Sequence, residues 1–395
     1  MKGIGNMQTN DIEIEVLSKE EKRENRRQRR VRSQRIAYIS LVITVIILIG
    51  AIVGGGIFVK HQIDEKKKQE TEEQIAESEM EDSAEESINN IDGENMEESN
   101  TEDSAQIEYT PEVVLDEVVE AVISEMTLEE KVAGLFIVTP ESITGVSAAV
   151  QAGEGTRTAL EKYPVGGLIY SGKNIQSEEQ VKKMIENSMA YSKYPLFVAA
   201  DESLAESSQL ASYGINLNFV SIENLAVGNG AAVCIKGFPY GNTDSSEKQN
   251  GLPVINKSLE ELKQAEMIPY INAITNEADM IMIGHMALPQ VAGDNISITM
   301  SKEVISDLLR AELGFNGVVI TDAMNINAIT EYYGADEVAI KAFKAGADMV
   351  LMPENFETAY KGVIAAVQEG TISEDRINDS LKRVFRIKYA DRVVE

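Results

Sequence analysis

The sequence is poor in histidine and cysteine, and this excludes several kinds of site. Its 395 residues include two histidines, one cysteine and no tryptophan. The single Cys234 cannot form an intramolecular disulfide, and its apolar surroundings, AAVCIKGF, indicate a buried thiol. Two distant histidines, His61 and His285, do not provide the usual zinc ligand sets with one cysteine. No glycine-rich phosphate loop follows a strand either, so the sequence predicts neither a metal nor a cofactor.

Positive charge is missing from a long stretch near the N-terminus. Residues 69–108 contain 16 acidic residues and no Lys or Arg. Low hydrophobicity with charge of one sign cannot form a core, which predicts a disordered acidic stalk over residues 60–109. The domain that follows, residues 110–395, has 22 basic and 41 acidic residues. Nucleic acid is therefore not an expected partner of this domain.

One long apolar run precedes the stalk. Ile36–Val59 is uncharged and, at about 1.5 Å per residue, long enough to span a hydrocarbon core of about 30 Å. Eight basic residues lie just before it in Lys22–Arg35. This asymmetry predicts a cytoplasmic tail over residues 1–35, an uncleaved signal anchor in the cell membrane and an extracellular domain. Gly50 and Gly54 form one GxxxG motif, a candidate contact for dimerisation.

Helical and extended patterns alternate from about Pro111 onward, which is typical of a parallel α/β sheet. Eight strands are predicted, and that number favours a (β/α)8 TIM-type barrel over an open sheet. The predicted strands are Leu135–Thr139, Gly167–Tyr170, Pro195–Ala200, Ile215–Val220, Ala232–Lys236, Met280–Gly284, Val318–Thr321 and Met349–Met352. Helix starts are indicated by capping-box patterns at Ser177 and Ser258, and by a looser one at Ser301.

Two connections are short for a complete barrel. Residues 202–214 separate the third and fourth strands, and residues 221–231 separate the fourth and fifth. A parallel crossover with its helix needs at least about 10–12 residues. The first connection has room for a short helix such as Leu204–Ala211, whereas the glycine-rich ENLAVGNGA in the second does not. The barrel is therefore expected to be incomplete around strands 3–5.

The stretch GVVITDAMN, residues 317–325, places a carboxylate at the end of a buried strand. Asp322 lies where the strand gives way to the next helix, and the carboxyl ends of the strands carry the chemistry in α/β barrels. An Asp at this point is also a common helix N-cap, because its side chain satisfies a free backbone N–H. The residues alone leave both interpretations open.

Many ordered segments of the domain match one family. They are MTLEEKVAGLF, YPVGGLIYSGKNIQSEEQV, PLFVAADES, GINLNF, KGFP…NGLPV, ADMIMIGHMALP, GFNGVVITDAMNINAI and AGADMVLMP. Through them, residues of about 126–390 resemble the N-terminal barrel of family 3 glycoside hydrolases, close to the bacterial β-N-acetylglucosaminidases. The sequence stops after the last barrel helix, so the single-domain subgroup is the better expected match.

The resemblance implies a retaining mechanism with Asp322 as the nucleophile. Retention requires a carboxylate that forms a glycosyl-enzyme intermediate, and a second group that transfers protons. In the matching subgroup that group is a loop histidine paired with an aspartate. The ungapped count places Gln249 and Glu247 at those positions here, and Gln249 cannot transfer a proton. Glu247 is the candidate acid/base, with Asp244 as an alternative, since carboxylic acids serve this role in other glycosidases.

The resemblance also implies sugar-binding residues. Asp201 matches the aspartate of the family's D-x-E-G-G-R segment, although the glycines and the arginine are replaced. Lys236 matches the lysine of a Lys-His pair whose histidine is Gly237 here. His285 matches a family position too, and a lone histidine at a strand end is more often a hydrogen-bonded structural residue.

Three hypotheses follow from this pattern. The domain is either an anchored glycosidase acting on N-acetylglucosamine-containing glycans such as cell-wall fragments, or an inactive barrel that binds a surface glycan or protein. The third hypothesis is a structural anchor that has lost both tasks. Loss of a general acid/base costs about 10²–10⁴ in rate, which makes a pseudoenzyme a serious alternative.

Overall fold

The computed structural model describes residues 111–201, 213–224, 231–241 and 251–393. The predicted cytoplasmic tail, the apolar segment 36–59 and the acidic stalk lie outside these residues. The predicted short helix 204–211 and the candidate acid/base Glu247 lie outside them as well. Within the described part of the chain, no helix has both the length and the apolar character needed to cross a bilayer.

All eight predicted strands are present, and they form one parallel sheet. Its order is β7-β6-β5-β4-β3-β2-β1-β8, so neighbours in the sheet are neighbours in sequence except at the edge where β1 meets β8. The strands are Phe136–Val138 (β1), Gly167–Tyr170 (β2), Phe197–Ala200 (β3), Leu217–Ser221 (β4), Ala232–Phe238 (β5), Met280–Ile283 (β6), Val318–Thr321 (β7) and Val350–Leu351 (β8). Six of them, all but β4 and β5, are buried along their whole length, which explains their continuous apolar runs.

The two edges of the sheet meet and nearly close the barrel. Ile320 of β7 and Met349 beside β8 form a parallel bridge. The Thr321 N–H donates to the Met349 carbonyl over 3.1 Å, and the Asp348 N–H donates to the Val319 carbonyl over 2.7 Å. These contacts confirm the predicted TIM-type barrel and bring β7, with Asp322 after it, next to β8.

Strand β4 is less buried than its neighbours β3 and β5. Strand β3 pairs with β4 through the single register pair Ala199–Leu217, and four of the five residues of β4 are only half-buried. The Asn216 side chain supplements this pairing, accepting from the Val198 N–H at 2.7 Å and donating to the Leu196 carbonyl at 3.0 Å. The described start of the β4–β5 connection is a 3₁₀ turn, Ile222–Asn224. The sheet is nevertheless continuous through strands 3–5, and residues 202–212 and 225–230 of the two short connections lie outside the described residues, so the expected incompleteness stays a prediction.

The helices begin where their capping residues predict. Ser177 and Ser258 form complete capping boxes, and Thr127 forms a third that the sequence analysis missed. The α-helices are Pro111–Glu125 (α1), Leu128–Ala133 (α2), Pro140–Thr144 (α3), Glu154–Lys162 (α4), Glu178–Tyr191 (α5), Leu259–Gln264 (α6), Ile268–Thr275 (α7), Pro289–Ala292 (α8), Asn327–Thr330 (α9), Ala335–Ala345 (α10), Phe356–Gln368 (α11) and Glu374–Val393 (α12). After Ser301, whose hydroxyl accepts from the Val304 N–H, a π-helix covers Glu303–Glu312.

An ionic cluster holds the amino-terminal end of the barrel together. Asp348, just before β8, is fully buried and pairs with Arg310, Arg376 and Arg383. Its carboxylate also accepts from the Val319 N–H at 2.9 Å, as well as from a serine hydroxyl of α12. Burial lowers the pKa of Arg310 while the Asp348 carboxylate opposes that shift. The cluster therefore connects the π-helix, the β7–β8 seam and the last helix through one carboxylate.

Candidate active site

Asp322 lies at the carboxyl end of β7, where the sequence predicted it. Its backbone N–H donates to the Ile283 carbonyl at 3.0 Å, and its half-buried carboxylate accepts from the Ala323 N–H at 2.8 Å. The next helix, α9, begins at Asn327 after Ile326 and has no side-chain cap. The N-cap interpretation of Asp322 is therefore wrong, because the carboxylate binds a turn and not a helix end.

The turn that follows Asp322 is held between β6 and β8, the strands on either side of β7. The Met324 N–H donates to the Leu351 carbonyl of β8 at 3.0 Å. The Ala323 carbonyl lies 3.0 Å from Nε2 of His285, which follows β6. The turn is thus held from β6 on one side and from β8 on the other, which restricts the orientation of the Asp322 carboxylate.

His285 is fully buried, and both ring nitrogens have partners. Nε2 faces the Ala323 carbonyl, and Nδ1 lies 3.1 Å from the Ser297 hydroxyl and 3.4 Å from the Thr299 hydroxyl. These contacts favour the structural role of His285 over the sugar contact that the resemblance implied.

Lys236 lies near the carboxyl end of β5, half-buried and in register with Ser221 of β4. The charges of Lys236 and Asp322 both affect the pKa of the buried Cys234 thiol. Burial raises the pKa of the Cys234 thiol, the Asp322 carboxylate raises it further, and the Lys236 ammonium opposes both. Lys236 lies on β5 and Asp322 follows β7, the strands on either side of β6. Because parallel strands end at one edge, both residues lie on the carboxyl face of the barrel.

Asp201 marks the same face on the other side of the barrel. It directly follows β3, is half-buried, and its N–H donates to the Tyr170 carbonyl of β2 at 2.9 Å. Parallel strands end at one edge, so Asp201, Lys236 and Asp322 share the end of the barrel at which barrel enzymes carry their catalytic groups.

The loop that carries Glu247 is anchored on this face at both ends. Gly237 adopts a positive φ of 87°, which favours glycine, and its carbonyl accepts from the Gly241 N–H at 2.8 Å. On the far side, Val254 bridges to Ala287, and the Ala287 N–H donates to the Pro253 carbonyl at 2.7 Å. Glu247 belongs to residues 242–250, which lie between these anchors and outside the described residues.

A third carboxylate on this face was missed by the sequence analysis. Glu141 follows β1, and its Oε1 accepts from the Ala149 N–H at 2.8 Å and from the Asn174 amide at 2.6 Å. The ammonium group of Lys173 lies 3.6 Å from Oε2. Burial alone would raise the pKa of Glu141, but the hydrogen bonds and the nearby lysine lower it overall. The only signal in the sequence is an acidic residue three positions after the end of a buried strand.

We expect Glu141→Gln to lower the free energy of unfolding by about 1–2 kcal/mol at neutral pH, because charge-assisted hydrogen bonds become neutral ones. A carboxyl group whose pKa is lower in the folded than in the unfolded state stabilises the fold at a pH above its unfolded-state pKa. This stabilisation is lost as the pH falls through the folded-state pKa. The difference between wild type and variant should therefore shrink as the pH falls below about 4.5, the usual value for this side chain. Urea titrations from pH 3 to 7 measure it, and a pH-independent difference would contradict the assignment.

The described residues contain no group of three or more His, Cys, Asp and Glu side chains able to hold a metal ion.

Comparison with known proteins gives one family. Residues 220–387 match the model of the glycosyl hydrolase family 3 N terminal domain. A glycoside hydrolase family 3 β-N-acetylglucosaminidase structure from Paenibacillus sp. str. FPU-7 aligns with a TM-score of 0.59 and 27% identity. That alignment covers 68% of this chain and 64% of the Paenibacillus chain. LpqI of M tuberculosis, 18% identical, shares the fold with a TM-score of 0.57 over 96% of its length.

Among curated relatives, beta-hexosaminidase A of Pseudoalteromonas piscicida is 22% identical over 322 residues, or 58% of this chain and 54% of that protein. A beta-N-acetylglucosaminidase/beta-glucosidase of Cellulomonas fimi is 26% identical over 168 residues, or 40% and 30% of the two chains. The chain thus spans about half the length of the first relative and less of the second. With its closing β7–β8 seam and its strand-end carboxylate, the chain is similar to glycoside hydrolases of family 3, and its residues 220–387 match that family's N-terminal barrel domain.

Proposed function

We propose that the protein is a retaining glycosidase that hydrolyses N-acetylglucosaminides, with Asp322 as the nucleophile. The observation that carries the proposal is the position of Asp322 in a turn held by β6 and β8, in a family 3 barrel. The relatives named above as hexosaminidases and β-N-acetylglucosaminidases support the choice of sugar.

In this mechanism the Asp322 carboxylate attacks the anomeric carbon as the bond to the leaving oxygen breaks, which gives a glycosyl ester. Glu247 would protonate that oxygen and then take a proton from the water that hydrolyses the ester. Lys236 would donate a hydrogen bond to a sugar hydroxyl, and Asp201 would accept one. Each of these roles is part of the proposal.

For the cellular setting, we propose a protein anchored through residues 36–59, with the barrel outside the cell and a glycan or cell-wall fragment as substrate. The basic segment before the apolar run and the acidic stalk after it support this arrangement. The Gly50–Gly54 motif would provide the contact for dimerisation of this anchor.

An inactive barrel that binds a glycan is the second candidate. It is favoured by the replacement of the Lys-His pair with Lys236 and Gly237, and by the burial of His285. Such a protein would bind N-acetylglucosamine oligosaccharides without releasing products.

The proposal is tested with the full-length chain and an activated aryl N-acetylglucosaminide, beside the matching aryl glucoside. An activated leaving group needs little protonation, so release depends on the nucleophile and not on the missing histidine. Preferential release from the N-acetylglucosaminide supports the proposal. Oligosaccharide binding by calorimetry without release would instead support the binding barrel.

Glu247→Gln is expected to lower kcat/KM about 10²–10⁴-fold for a poorly activated aglycone and to change kcat/KM for an activated one much less. The cause is that kcat/KM reports the first step, in which only the poor leaving group requires protonation. Measuring kcat/KM against leaving-group pKa for wild type and variant tests this, with Asp244→Asn as the matched control. If the slope changes in Asp244→Asn instead, Asp244 is the acid.

A further inference from the structure

The turn after Asp322 is held by backbone groups of two strands and by one imidazole. The Asp322 N–H binds β6 through the Ile283 carbonyl, and the Met324 N–H binds β8 through the Leu351 carbonyl. Between them, the Ala323 carbonyl contacts Nε2 of His285 at 3.0 Å. The Ala323 N–H in turn donates to the Asp322 carboxylate. The imidazole therefore contacts the residue whose own N–H orients the carboxylate.

The partners of His285 determine where its proton lies. A carbonyl oxygen only accepts, so Nε2 must carry the hydrogen. Nδ1 of the neutral ring is then an acceptor and takes the hydrogen of the Ser297 hydroxyl at 3.1 Å. The Thr299 hydroxyl lies 2.9 Å from Ser297 and completes a buried polar group. His285 thus has a fixed tautomer, and its Nε2–H donates to the Ala323 carbonyl in the turn.

We infer that His285 is a positioning residue for the nucleophile, an inference that rests on the proposed function. Its Nε2–H holds the Ala323 peptide, and this holds the Asp322 carboxylate in line for the anomeric carbon. Displacement of a reacting group by about 1 Å can cost about 10²-fold in rate, so loss of this contact should lower kcat. The same contact leaves His285 unable to replace the missing loop histidine, because a buried ring with both nitrogens occupied does not exchange protons with substrate.

Two variants separate the contacts of the ring. In His285→Gln the amide nitrogen can reach the position of Nε2 and keep the bond to Ala323, whereas in His285→Asn the shorter amide reaches only that of Nδ1. We expect His285→Asn to lower kcat about 10²-fold with KM changed less than about threefold, and His285→Gln to keep most of kcat. Hydrogen exchange of the peptide covering residues 322–326 should accelerate in His285→Asn and remain close to wild type in His285→Gln.

Equal kcat losses in both variants, or unchanged exchange of residues 322–326 in His285→Asn, would overturn the inference. Ser297→Ala is the second test if His285→Asn does not fold. It removes the hydroxyl that donates to Nδ1 and helps to hold the ring in place, so faster exchange in the same peptide is expected and unchanged exchange would count against the inference. If the wild type releases no aglycone, the proposed function fails, while the exchange measurements still decide whether His285 holds the turn.

Discussion

Asp322→Asn is expected to lower kcat on an activated aryl N-acetylglucosaminide by about 10⁴-fold or more, the scale for removing the nucleophile from a covalent mechanism. The amide oxygen of asparagine can still accept from the Ala323 N–H, so the turn should keep its geometry. The loss would then reflect chemistry and not folding. Initial rates of aglycone release at saturating substrate measure it.

The covalent intermediate provides an independent measurement. A 5-fluoro derivative of an N-acetylglucosaminide with a good leaving group keeps the 2-acetamido group and slows the second step, and the glycosyl ester should then accumulate on the wild-type peptide that contains Asp322. Mass spectrometry of the digested protein should show this mass addition and should not show it in Asp322→Asn. Activity within tenfold of wild type in the variant, or labelling of another carboxylate, would remove Asp322 from the mechanism.

Asp348→Asn is expected to lower the free energy of unfolding by about 3–5 kcal/mol, because it leaves three partly buried arginines without their buried carboxylate. Arg310 is the most affected, since its side chain is only 16% exposed and its pKa is already lowered by burial. Arg376 and Arg383 would lose the same partner at the β7–β8 seam. Urea unfolding followed by circular dichroism measures the change in midpoint.

Asp307→Asn is the matched control for this experiment. Asp307 pairs with Lys302, and both side chains are more than half exposed. Exposed pairs contribute about 0–1 kcal/mol, so this variant should unfold close to wild type. A similar change in both variants would show that the Asp348 cluster does not hold the seam. No loss of activity is predicted from Asp348 directly, because it lies at the end of the barrel opposite Asp322.

Local patterns in the sequence predicted most of the fold. Buried apolar runs with helix starts between them gave all eight strands, and the run before Asp322 placed this residue at the end of β7. Capping boxes at Ser177 and Ser258 could be identified because both partners lie within one helical turn. Thr127 and Glu130 have the same capping-box spacing and therefore also predict a helix start.

Only the tertiary structure determined the contacts between residues far apart in the chain. Asp348 meets Arg383 across 35 residues, and His285 meets the Ala323 carbonyl across 38. No periodic pattern in the sequence predicts either contact, because each one depends on which strand ends meet when the barrel closes. The sequence by itself therefore determined the strands, the family resemblance and the candidate nucleophile. The fold decided which groups hold that nucleophile, because hydrogen-bond partners are selected by proximity in space and not by spacing along the chain.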